Sequence, residues 1–123
     1  MMRLVVALAF LLLVPSSAAA SPPLPGVPPW VGAEPVVQAR ELYVGAGGSL
    51  FVGQIRWTSL TPERGTAVGV VHVNECTPTC AAGTLRQFPA ALEFDDVTDS
   101  SFTCLRLTYA GRTTVVPLGS RRC

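Results

Sequence analysis

The chain contains no lysine and only one histidine, one isoleucine and one asparagine among its 123 residues. All nine basic residues are therefore arginine, set against eight acids. One of them, Arg3, lies ahead of the first apolar run, so the segment from Ser21 onward carries eight arginines, eight acids and no net charge. Without a net positive field, and with no basic run longer than Arg121-Arg122, nucleic acid is not an expected partner. A single histidine leaves few routes to a catalytic constellation. No stretch reaches the roughly 18 consecutive apolar residues that mark a membrane-spanning helix. Nor does any stretch beyond residue 20 keep helical periodicity over three turns.

What is present at the start of the chain is an export signal. Met1-Met2-Arg3 opens it, Leu4 to Val14 is an unbroken apolar run, and Pro15 ends any helix there. Ser16-Ser17-Ala18-Ala19-Ala20 then places small residues at positions −3 and −1 of a cut between Ala20 and Ser21. That three-part layout is a secretory signal peptide over residues 1–20, and no membrane association is expected once it is removed. The alternative, a buried N-terminal helix, lacks any amphipathic continuation.

Ser21 to Pro35 follows, with six prolines in fifteen residues. Such a stretch forms neither a helix nor a central strand, and residues 21–35 read as an extended proline-rich linker in which Trp30 packs at most against the domain edge. From residue 36 to Cys123 the pattern is short strands between turn residues. The expected strands are Gln38–Val44, Leu50–Ser59, Thr66–Asn74, Thr84–Phe94, Phe102–Ala110 and Thr113–Leu118. Gly45 to Ser49, Thr61 to Gly65 and Asp95 to Ser101 are the expected loops, and Gly111 marks a tight turn. Alternation puts Phe51, Ile55 and Trp57 on one face of the second strand. Phe88, Ala90, Leu92 and Phe94 share a face of the fourth, and Leu105, Leu107 and Tyr109 share a face of the fifth. The third strand is apolar on both faces and should be central. The expected fold is all-β: a small antiparallel sandwich or partly open barrel of about six strands.

Cys76, Cys80, Cys104 and Cys123 are an even set in an exported domain, which implies two disulfides and leaves no thiol to serve as nucleophile. Pro78 bends the segment between Cys76 and Cys80, so the expected bonds are Cys76–Cys80 and Cys104–Cys123. The rival pairing joins Cys76 to Cys104 and Cys80 to Cys123. Chain entropy gives about 2 kcal/mol for the short ring and about 3 kcal/mol for the longer one. His72, Cys76 and Cys80 have a spacing that three zinc ligands can use, but oxidised thiols do not bind zinc, so no metal is expected and His72 reads as a strand residue. Asp95, Asp96 and Asp99 lack the glycine and spacing of a calcium loop and are ordinary turn formers. Ser49 has no strand–helix context for a nucleophile elbow. Glu75, Glu93 and Asp95 offer only the carboxylate pairs that any β domain offers. Neither an enzyme nor a cofactor is expected.

Several short stretches together resemble a family of small secreted actinobacterial proteins. These are Gly48-Ser49, Ile55-Arg56-Trp57, Ala67-Val68-Gly69 and Cys76-Thr77-Pro78-Thr79-Cys80-Ala81-Ala82-Gly83. The family pattern runs G-S, I-x-W, A-x-G and C-x-P-x-C-A-x-G, and the likeness covers Glu41 to Phe94. The chain departs from it at Leu60, where a second Trp is usual, and at Val71, where a second Gly is usual. Arginine as the sole base fits the GC-rich coding of such a source. The resemblance implies export and a disulfide-bonded β domain, and it carries over no catalytic residue. The expected function is a secreted, non-enzymatic β domain that binds an extracellular or cell-envelope partner. The alternatives are a protease inhibitor presenting Thr61–Gly65 or Cys76–Gly83, and a small hydrolase with His72 beside an acid. N-terminal sequencing of exported material should begin at Ser21; a start beyond Pro25, or retained Met1, would remove the signal peptide from this reading.

Overall fold

The computed structural model describes residues 13–15, 22–44, 50–74, 78–79, 81–119 and 123. Six strands account for most of them: β1 (Leu42–Val44), β2 (Leu50–Leu60), β3 (Gly65–Asn74), β4 (Leu85–Thr98), β5 (Ser101–Tyr109) and β6 (Arg112–Pro117). They pair antiparallel in chain order, β1-β2-β3-β4-β5-β6, and the single sheet curls into a half-barrel. No helix is present among the described residues. The partly open barrel is thus the form the all-β fold takes, and β3 lies inside the sheet between β2 and β4.

Period-2 alternation builds the inner face. Val52 on β2, Val71 on β3, Leu92 and Phe94 on β4, and Leu105 and Leu107 on β5 are all buried there. Each such side chain contributes about 1.5–3 kcal/mol on leaving water. Phe88, Ala90, Leu92 and Phe94 do share a face, as do Leu105, Leu107 and the partly buried Tyr109. The alternation breaks on β5, where Phe102, Thr103, Cys104 and Leu105 are all buried in succession. Opposite this run Asp96 takes a left-handed φ of 56°, and the Thr103 hydroxyl donates to the Asp96 carbonyl at 2.8 Å.

The turns are tighter than the expected loops. Asp95–Ser101 is not a loop: β4 continues to Thr98, and only Asp99 and Ser100 turn the chain, with φ of 50° and 62°. Ala110 and Gly111 do the same before β6, with φ of 50° and 74°. Two successive positive φ values are the two-residue turn whose twist matches a hairpin, and Asp and Gly tolerate it best. The Thr61 side chain organises the third turn by accepting from the backbone N–H of Arg64 at 3.0 Å, while Thr61 N–H donates to the Arg64 carbonyl at 2.8 Å.

The face assignment on β2 needs one correction. Phe51 does not share a face with Ile55 and Trp57. Gly53 pairs with Val70, but the next pairs are Arg56 with Val68 and Trp57 with Ala67. A β-bulge at Gln54, φ 52°, therefore inserts one residue and inverts the alternation. Val52 and Ile55 point inward, whereas Phe51 points outward. The expected strand Gln38–Val44 is also shorter, because Gln38 is left-handed (φ 54°) and the Arg40 carbonyl is taken by Ile55 N–H.

The proline-rich stretch is extended, and part of it packs on the domain. Val27 is buried in the core at 1% exposure, and Pro25, Gly26 and Pro29 are buried beside it. Phe102 N–H donates to the Gly26 carbonyl at 2.9 Å, Gly26 N–H to Ser100, and Tyr43 N–H to the Pro29 carbonyl at 2.8 Å. The prolines cannot donate, but Gly26 and Val27 between them can, and that is enough to anchor the chain. A Cβ on Gly26 would stand 2.8 Å from Val36 N, so this close approach requires glycine. Trp30 stays more than half exposed.

Cys104 and Cys123 form a disulfide with Cα atoms 5.5 Å apart, which ties β5 to the residue at position 123. Cys104 is thus bonded to Cys123 and not to Cys76. The Cys76–Cys80 bond and the loop Gly45–Ser49 fall on residues outside those described.

Trp57 holds the inner face together. Its ring stacks on Phe94 at 4.8 Å between centroids and lies 6.5 Å from Phe102, and its Nε1–H donates to the Ala39 carbonyl at 2.9 Å. Trp57→Ala should destabilise the domain by about 3–5 kcal/mol, a large share of a usual total of about 5–15 kcal/mol. Trp57→Phe keeps the stacking and should lose about 1 kcal/mol with the indole hydrogen bond. Thermal or denaturant unfolding measures both, and an unchanged midpoint for the alanine variant would place Trp57 outside the core.

Candidate functional site

The half-barrel buries one face of its sheet and leaves the other to solvent. On that outer face the register sets up cross-strand rows. Tyr43, Phe51, His72 and Gln87 form the first, running from β1 to β4. Gly53, Val70 and Pro89 form the second. Arg56, Val68, Ala91, Thr108 and Thr113 form the third, and Thr66, Glu93, Arg106 and Val115 the fourth.

The first row is aromatic. Tyr43 and Phe51 have ring centroids 4.9 Å apart, and Phe51 and His72 5.4 Å apart, both pairs tilted. Such offset, tilted pairs are favourable beyond the area they bury. Phe51 also covers Gly53: a Cβ there would lie 2.9 Å from the ring edge. The fourth row is polar. The hydroxyls of Thr58 and Thr66 are 2.8 Å apart, and Arg106 Nε reaches Glu93 at 3.7 Å. That ion pair is well exposed on both sides, so water screens it and it adds little to stability.

Between these rows lies a shallow groove across the middle of β2, β3 and β4. Its floor is Val68, Val70, Pro89 and Ala91, and Gln54 and Arg56 stand at its β2 end. All the floor side chains are small and none carries a polar atom. A solvent-facing sheet surface is ordinarily polar at alternate positions, so a contiguous apolar strip on two central strands is a feature to explain. Three non-glycine residues in the left-handed region, Gln38, Gln54 and Ala110, line the same groove. Bulges that turn a side chain outward are concentrated beside functional surfaces, and each such backbone conformation carries strain of about 1–3 kcal/mol.

The residues singled out in the sequence scatter around this surface. His72 sits in the aromatic row, half-buried, with Phe51 and Gln87 as its cross-strand neighbours and no carboxylate opposite it. Asp95 and Asp96 are exposed on β4 and Asp99 is in a turn. No three His, Cys, Asp or Glu side chains come together in metal-binding geometry among the described residues. Cys76, Cys80, Glu75 and Ser49 lie outside the described residues. The groove itself was foreshadowed by one signal, the valine-rich third strand with apolar residues on both faces. The outward turn of Phe51 had one local signal, the isolated Gly53 just before the bulge, but a glycine inside a strand does not say which way the register shifts.

What this surface can do chemically is present rings, a low apolar floor and a few long polar side chains on a rigid backbone. No helix among the described residues is long and apolar enough to cross a membrane. Comparison with protein-family models, curated proteins and solved structures finds no match. Gln54→Gly should relieve the left-handed strain and raise stability by about 1 kcal/mol, while the β-branched Gln54→Val should lower it. Melting temperatures of the two variants test the bulge; equal values would mean that Gln54 is not left-handed.

Proposed function

We propose that this chain is an exported, non-enzymatic binding domain that meets an extracellular or cell-surface partner on the outer face of its sheet. The observation that carries this reading is the groove whose apolar floor is Val68, Val70, Pro89 and Ala91. It lies open to solvent beside the Tyr43–Phe51–His72 row. Both features sit on paired strands, so little order has to be gained on binding, and preorganisation of that kind favours affinity. Aromatic rings beside a small apolar patch are the usual composition of an interface centre. The signal layout of residues 1–20, the balanced charge and the Cys104–Cys123 bond fit a protein working in an oxidising compartment.

The inhibitor alternative finds less support at Thr61–Gly65. Those residues form a short hairpin turn held by the Thr61 side chain, whereas a protease cleft takes an extended segment. The hydrolase alternative wants an acid beside His72, and the cross-strand positions there hold Phe51 and Gln87.

The test is capture of partners from culture supernatant and cell envelope by the exported protein, with identification by mass spectrometry. Val70→Glu places a charge on the groove floor without touching the inner face. It should leave the melting temperature within a few degrees and reduce recovery of the partner at least tenfold, which corresponds to about 1.4 kcal/mol. Undiminished recovery by Val70→Glu and by Phe51→Ala would move the binding surface away from this face.

A further inference from the structure

The two edges of the half-barrel are unlike. At the β1 edge the strand is three residues long, and the N-terminal segment covers it through Tyr43 N–H to the Pro29 carbonyl. The β6 edge has no backbone partner among the described residues. Its sequence, Arg-Thr-Thr-Val-Val-Pro, is rich in β-branched residues and has one charge, at its start. Val115 is 52% exposed. Folded proteins guard such edges with charges, prolines, bulges or covering chain; in β6 the guards Arg112 and Pro117 stand only at the two ends, and the span between them is open to pairing with another strand.

Which backbone groups of β6 face outward follows from the ladder. Leu118 N–H donates to the Thr103 carbonyl at 2.7 Å, one step beyond the Cys104–Pro117 pair. Bonded and non-bonded pairs alternate along an antiparallel ladder, so Arg112, Thr114 and Val116 bond to β5. Thr113, Val115 and Pro117 then direct their backbone groups away from the sheet. The side chains agree: the Thr108 and Thr113 hydroxyls are 2.9 Å apart, as suits the closer, non-bonded kind of pair.

We propose that β6 pairs antiparallel with β6 of a second copy of this chain, about a two-fold axis at Thr114. In that register Thr113 lies opposite Val115 of the second copy, and Val115 opposite its Thr113. Every outward N–H and C=O of those two residues finds a partner. An axis at Val115 would set Thr113 against Pro117, which cannot donate, and leave the Thr113 carbonyl unpaired. An axis at Thr113 would set Val115 against Gly111, whose φ of 74° is not that of a strand. The Thr114 register also places Thr beside Thr across the axis and Arg112 opposite Val116, so no like charges face each other. A contact in which the same patch serves both copies closes on itself as a dimer. The interface is distinct from the outer-face groove, so its failure would leave the proposed binding function standing.

The experiment is the solution mass of the exported protein, expressed from the full chain, over a range of concentrations. A mass of two chains, falling towards one on dilution, is expected. Val115→Pro removes an N–H that the fold does not use, at an edge position where proline is tolerated. It should keep the melting temperature and halve the mass. Independently, Thr114→Cys should form a disulfide-linked dimer, because residues facing each other across the axis have Cα atoms about 4.5 Å apart. Thr113→Cys should not, since its copies lie about 7–8 Å apart or farther. A single-chain mass at the highest soluble concentration, an unchanged dimer in Val115→Pro, or equal cross-linking at Thr113 and Thr114 would each overturn the proposal. So would a monomer whose β6 takes up an unrelated extended peptide in place of a second copy.

Discussion

The fold depends on the contact of Trp57 with Gly65. The indole lies so close above the glycine that a Cβ there would stand 2.6 Å from the ring. Gly65 starts β3 directly after the Thr61–Arg64 turn, so the hairpin and the ring are locked together. From that position the same ring stacks on Phe94 of β4 and reaches Phe102 of β5. Its one polar atom is satisfied by the Ala39 carbonyl on the N-terminal segment. A half-barrel has an open side that a closed barrel lacks, and here the indole hydrogen bond joins the backbone bonds at Gly26, Pro29 and Arg40 in holding the N-terminal chain across it. Val27 and Ala39 complete the core from outside the sheet.

That arrangement explains the division of labour between the two sheet faces. The inner face takes the large side chains and is covered by the N-terminal segment. The outer face keeps small apolar residues at its centre, because β3 is apolar on both sides. The bulge at Gln54 lets β2 serve both faces. It keeps Val52 and Ile55 inward while sending Phe51 out to join Tyr43 and His72. A regular strand would have put Phe51 with Ile55, and the aromatic row would not exist. The edges follow a similar logic. The segment that closes the core also covers β1, and among the described residues nothing comparable covers β6.

Local regularity decides which faces of the sheet the sequence reveals. Leu92 and Phe94, and Leu105 and Leu107, were placed correctly because alternation is a local property and these strands are regular. The third strand was recognised as central because Val68, Val70 and Val71 leave it no polar face. Phe51 was misplaced because one extra residue in the ladder reverses every face assignment before it, and a bulge is set by register with the neighbouring strand. Asp95 to Ser101 was read as a loop because its residues favour turns. Pairing with β5 overrode that preference and kept Asp95 to Thr98 in strand.

The amino-acid order by itself determined the all-β class, a count of about six strands and their antiparallel pairing. Short apolar alternations between turn residues allow little else, and consecutive strands joined by tight turns must pair with their neighbours. It also determined that the chain from Ser21 on is balanced in charge and that two of its four cysteines, Cys104 and Cys123, could meet. Only the tertiary structure decided that the sheet curls into a half-barrel, that Val27 enters the core, and that Gln54 bulges. It alone decided that Phe51 and His72 share a surface and that β6 has no backbone partner on its outer edge among the described residues. These depend on which strand lies next to which, and at what offset. Such long-range pairings are settled by packing around Trp57, which no local stretch of residues encodes.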